Sequence, residues 1–167
     1  EAWDRYGDRV GWTFITDGRD PSGVAPTNGR EARETAASPS PGSNTRGPAH
    51  DLGRFYEMLL AGGEWGGRRI LSEETVRQWT SVQNRGVFDK SFKHRMNWGL
   101  GFIVNGAEYG VGTIPYGFGP HASVATFGHG GRESAQGFAD PAHGLAVVVV
   151  FNGMPGERRH QRRLQEI

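Results

Sequence analysis

The stretch Ala125-Thr-Phe-Gly-His129-Gly130-Gly131, followed by Gly137-Phe-Ala-Asp-Pro141 and then by Leu145-Ala-Val-Val-Val-Val-Phe151-Asn152, decides how this chain is read. Apolar and β-branched residues bounded by Gly, Asp and Pro are strand signals, and Asp140-Pro-Ala-His-Gly144 supplies a turn. The spacing predicts two strands, one over 124–130 and one over 145–151, joined by that turn as an antiparallel hairpin. The continuous apolar run 145–151 predicts a central strand buried on both faces. One strand end carries a histidine and two glycines. Glycine has no Cβ, so another group can approach the backbone there closely. A histidine beside such bare backbone suits a ligand or a reacting group, and suits a purely structural role as well.

Working outward from that stretch, two helices are legible. Leu52, Phe55, Tyr56, Leu59 and Leu60 recur with helical spacing after Pro48, which suits the first helical position, and Gly62-Gly63 ends the run. Ser72 is a good N-cap, with Glu73 and Glu74 at the positive end of the helix dipole. Leu71 and Val76 are placed for a hydrophobic staple, and Trp79 continues the face. Residues 83–96 are polar and predict a loop. Trp98-Gly-Leu-Gly-Phe-Ile-Val104 predicts one strand. Upstream, Val10–Thr16 alternates loosely as a short strand does. The segment 17–47 holds almost no large apolar residue and predicts a long surface loop. A helix is expected after Pro155-Gly156.

Composition narrows the function. With 27 glycines and nine prolines in 167 residues the chain is loop-rich, yet nine Phe and five Trp can anchor a core. The net charge of +1 provides no general attraction for nucleic acid or anionic membrane. The cluster Arg158-Arg159-His160-Gln161-Arg162-Arg163 reads as a solvated helix face, so no nucleic-acid partner is expected. There is no cysteine, hence no disulfide, thiolate nucleophile or zinc–thiolate site. No apolar run reaches the length of a membrane span. His121 and His129 lie eight apart and lack the i, i+4 partner and the Glu of a zinc hydrolase, so neither metal nor cofactor is expected. Ser134 has no nucleophile elbow around it. Compartment cannot be read from these features.

Phe127-Gly-His-Gly-Gly131, the Gly-Phe-Ala-Asp-Pro141 turn and the Val-rich strand ending in Asn152-Gly-Met resemble the C-terminal part of the serine beta-lactamase-like hydrolases. That superfamily includes class C beta-lactamases, D-Ala-D-Ala carboxypeptidases and esterases. The runs Gly47–Gly63 and Arg69–Val76 are similar to its helix and following helix start, in the same order. The resemblance covers nearly all of the chain from about Pro41. It implies an α/β fold of the α+β type: an antiparallel sheet flanked by helices, here incomplete.

The resemblance also implies a serine hydrolase that acts on an ester or amide through an acyl-enzyme. His129 would stand where relatives carry Lys or His. Gly130 and Gly131 would keep the wall open, Arg132 and Ser134 would lie at the substrate, and a backbone N–H between Arg132 and Ser134 would form half of the oxyanion hole. The family's Ser-x-x-Lys is absent: the residues three before Lys90 and Lys93, the only lysines, are Val87 and Lys90. No Tyr-x-Asn or Ser-x-Asn occurs either. The expectation is therefore that residues 1–167 form the C-terminal part of one domain, with the 17–47 loop inside it, whose partner is a missing N-terminal half carrying Ser-x-x-Lys. The alternative is a non-catalytic binding module or pseudoenzyme on the same fold.

Overall fold

The structure, a computed structural model, describes residues 48–131 and 135–150. The expected strand at 10–16, the 17–47 loop and the C-terminal helix lie outside the described residues.

Helix α1 spans Ala49–Leu60. Pro48 sits one place earlier than the sequence suggests, as the N-cap in extended conformation, and its carbonyl accepts from Asp51 N–H. The helix buries Tyr56, Met58 and Leu59, while Leu52 stays 41% exposed. Its end follows from the two glycines. Gly62 (φ 65°) donates its N–H to Leu59 O and Gly63 (φ 94°) to Met58 O, the paired bonds of a Schellman cap. Strands β1 (Glu64–Trp65) and β2 (Arg68–Arg69) then form a small hairpin around Gly66-Gly67, both at positive φ as a type I′ turn requires. Helix α2 (Glu73–Thr80) starts as predicted: Ser72 Oγ accepts from Thr75 N–H at 3.0 Å.

The six remaining strands form one antiparallel meander, each hydrogen-bonded to the next in chain order: β3 (Asn84–Asp89), β4 (His94–Trp98), β5 (Ile103–Val104), β6 (Phe127–Gly131), β7 (Ala135–Asp140) and β8 (Leu145–Val150). Neighbouring positions on a strand fall in different cores, as the pleat demands. Val104, Phe127 and Ala139 pack with Tyr56, Leu59, Val76 and Phe102 under the helices. Ile103 and Phe138 pack with Met96, Trp98, Phe118, Phe92 and Tyr116.

Three expectations fail, each for a non-local reason. Residues 83–96 are not a loop; most of them build the β3–β4 hairpin. Its turn is set by Asp89, whose carboxylate accepts from the N–H groups of Ser91 and Phe92, and β3 is an edge with Val87 and Phe88 exposed, so no buried face marks it in the sequence. Trp98–Val104 is not one strand. Gly101 at φ 85° turns the chain between β4 and β5, and Gly99, whose missing Cβ would overlap Trp79 O, lets α2's end lie against that turn. The Val-rich run is not covered on both faces among the described residues. β8 ends the described sheet, and Leu145 and Val150 are 49% and 57% exposed. The expected turn is present, with Gly144 at φ 61°, but the strand it joins to β8 is β7, which lies between β6 and β8 and which the sequence reading takes as part of the turn.

Candidate active site

His129 lies in the middle of β6, half-buried, opposite Gly137 of β7. Its ring packs against Trp98 at a centroid distance of 5.8 Å and against Tyr116 at 5.7 Å. Phe92 touches both of those rings, at 6.0 and 5.7 Å, which completes a circuit of four aromatic contacts. Nδ1 of His129 is 2.7 Å from the carbonyl of Gly130. A carbonyl only accepts, so in the neutral imidazole Nδ1 carries the proton and Nε2 keeps its lone pair. Nε2 has no hydrogen-bond partner among the described residues.

The glycines behave differently from one another. Gly131 is exposed, with Ala135 Cβ at ordinary contact distance of 3.5 Å from where its own Cβ would be. Gly130 does not leave an open wall, as the sequence suggests: a Cβ there would overlap the Tyr116 ring. Its bareness serves to let that ring lie on the strand. Tyr116 itself is at φ 51°, a conformation that costs a residue with a Cβ about 1–2 kcal/mol. Gln136, buried in β7, helps hold it there by donating to the carbonyls of Gly117 at 2.6 Å and Tyr116 at 3.4 Å. Arg132 and Ser134 lie outside the described residues.

Support for the strand also comes from α1. Gly137 has no Cβ, which leaves room for the Tyr56 ring. Burial pushes the Tyr56 hydroxyl up to about 12, against a backbone hydrogen bond at His129 that lowers it. The phenol therefore stays neutral beside the site strand. The sequence assigns no such link to α1.

Trp98, Tyr116 and Gln136 are the site neighbours that sequence reading misses. Only the run Tyr116-Gly-Phe-Gly-Pro120, an aromatic set among glycines, hints at close backbone approach. Elsewhere, a cavity of about 560 Å³ lined by Glu57, Ala61, Glu64, Trp65, Gly66 and Gly67 lies between the end of α1 and the β1–β2 hairpin, and its lining shares no residue with the His129 site. Among the described residues no three His, Asp or Glu side chains gather as a metal site would need, and no helix is long and apolar enough to cross a membrane.

Away from His129, a Ser–Asp–His grouping sits at the β7–β8 turn. Asp140, 2% exposed, accepts from Ser123 Oγ at 2.6 Å, Ser123 N–H at 2.8 Å, Ala142 N–H at 3.0 Å and His143 Nδ1 at 2.8 Å. Burial alone would raise this carboxyl; the bonds from Ser123, His143 and Thr126 outweigh it and hold the group well below the usual carboxylate range. The carboxylate stands between the hydroxyl and the imidazole. Nucleophilic catalysis needs the imidazole in that place. The grouping is a turn clasp.

The mixed fold, an antiparallel sheet with helices, is one that this chain shares with proteins of the beta-lactamase fold. The Beta-lactamase family model matches residues 4–167, and the chain belongs to that family. A Salmonella gallinarum protein named "Putative D-alanyl-D-alanine carboxypeptidase" is 32% identical over 103 residues, which are 62% of this chain and 21% of that protein. The chain thus spans about a fifth of the length of such relatives. A penicillin-binding protein homologue from Caulobacter crescentus superposes with a TM-score of 0.52 at 28% identity, covering 68% of this chain and 29% of the other. A beta-lactamase from Mycobacterium bovis superposes with the same TM-score at 24% identity over 67% and 39%, a likeness of fold.

Proposed function

We propose that this chain supplies one wall of a serine-hydrolase active site that cleaves an ester or amide through an acyl-enzyme. In this reading residues 1–167 are the C-terminal part of a single domain. The attacking serine and its lysine base belong to a Ser-x-x-Lys segment that these residues do not contain. The serine hydroxyl would add to the substrate carbonyl, expel the alcohol or amine, and release the acyl group to water. His129 would face the reacting centre, Gly130 and Gly131 would form the wall beside it, and Arg132 and Ser134 would meet the substrate, with one backbone N–H among residues 132–134 directed at the oxyanion.

The observation that carries the reading is the half-buried His129 on β6, with an imidazole nitrogen unused among the described residues, in a chain of the Beta-lactamase family. The relatives' carboxypeptidase name fits cleavage of an acyl bond, a chemistry for which the chain needs no metal or cofactor. The test combines the 167-residue chain with the Ser-x-x-Lys segment and follows hydrolysis of a chromogenic short-chain ester. Turnover is expected only in the combination, and His129→Ala should lower kcat/KM there by about 100-fold. Turnover by the 167 residues alone would overturn the idea that the nucleophile lies elsewhere. The absence of Ser-x-x-Lys and of Tyr-x-Asn or Ser-x-Asn from these residues favours a second reading, a binding module on the same fold. Ligand binding without turnover in the combination would select it.

A further inference from the structure

Tyr116 combines three features that rarely meet in one residue. Its backbone is in the left-handed region at φ 51° although it carries a large side chain. Its ring occupies the space that any side chain at position 130 would fill. Its carbonyl and the next one are held from β7 by the buried amide of Gln136. Strain of this kind persists only where surrounding contacts over-determine it, and it gathers at functional sites. Here what the strain achieves is visible: the ring lies 5.7 Å from the His129 imidazole.

We propose that Tyr116 is the positioning residue of the His129 site: with Trp98 it holds the imidazole as the Nδ1–H tautomer, donating to Gly130 O, so that Nε2 is offered to the substrate side as a hydrogen-bond acceptor. The proposal rests on reading β6 as a wall of the hydrolase site. It adds a statement about recognition. A lysine in this place could only donate. A neutral imidazole held this way accepts, so the group it meets is a donor, such as the hydroxyl or N–H of a substrate or of a leaving group that already carries its proton.

The tautomer is read directly by long-range 1H–15N NMR on the 167-residue chain labelled with 15N-histidine, with the His129 signals assigned by their loss in His129→Gln. At a pH where the ring is neutral, Nδ1 should show a pyrrole-type resonance and Nε2 a pyridine-type one, with NOEs from the imidazole protons to the Tyr116 ring. An Nε2–H tautomer, an averaged pair of resonances, or the absence of those NOEs in the wild-type chain overturns the proposal. Tyr116→Phe should leave the pattern unchanged. Tyr116→Gly keeps the positive φ at no steric cost and removes only the ring, so the two resonances should shift toward a common averaged value. A single unshifted tautomer in Tyr116→Gly would overturn the role given to Tyr116. None of these readouts uses turnover, so failure of the ester assay and failure of this inference are separate results.

Discussion

His143 at the β7–β8 turn and His129 on β6 stand in opposite circumstances. At the β7–β8 turn, His143 donates to a buried carboxylate whose oxygens are all occupied by Ser123, Ala142 and the histidine itself. On β6, the His129 imidazole makes one hydrogen bond among the described residues, to the carbonyl of the next residue, and is otherwise held by aromatic rings. The first region contains the residue types of a hydrolytic triad and none of its geometry. The second contains a lone imidazole and a strained neighbour. Residue type does not separate a clasp from a site; hydrogen-bond capacity left unused does.

The contrast can be broken most forcefully at Asp140. Asp140→Ala should cost about 3 kcal/mol, because the part-buried donors of Ser123 and Ala142 lose the buried carboxylate that satisfies them. It should leave the His129 tautomer signature unchanged. Urea midpoints together with the NMR pattern check both halves, and a changed His129 pattern would mean that the two regions are one coupled unit.

Gly130→Ala is the converse. The new Cβ forces the Tyr116 ring aside, for about 2 kcal/mol, and here the His129 pattern should change. A midpoint equal to wild type would show that the ring moves away freely and that the packing on β6 constrains nothing.

The acid limb sharpens the comparison further. The Asp140 carboxyl titrates lower in the folded chain than in the unfolded one, where its value is about 3.9. Its contribution is therefore fully present above that unfolded value and is lost as pH falls from there through the folded one. Asp140→Asn should flatten the fall of the urea midpoint between about pH 5 and about pH 2. An equal fall in both proteins would assign the limb to other carboxyls. The smallest effect is expected from His143→Ala. The His143 side chain is 58% exposed, so its removal should cost about 0.5 kcal/mol. A loss as large as that of Asp140→Ala would show the imidazole, and not the Ser123 contacts, to be the centre of the clasp.

Much of this was legible along the chain. The caps at Ser72 and Gly62-Gly63 and the Asp140–Gly144 turn are short-range hydrogen-bond patterns between residues a few places apart, so spacing alone reveals them. The β3–β4 hairpin was not legible, since an exposed edge pair has no buried face to impose a period of two. Nor was the partial exposure of β8, because an apolar run records what can be buried and not what covers it.

The linear order of residues settled the family, the two helices, the final turn and the nomination of His129, all of which depend on local spacing. Folding alone brought Tyr116 onto Gly130 and His129 from more than a dozen positions away, and set Asp140 between Ser123 and His143. The physical reason is range. Propensity and capping act within a turn or two of chain, whereas an aromatic contact or a buried carboxylate's choice of partners exists only once the strands have paired.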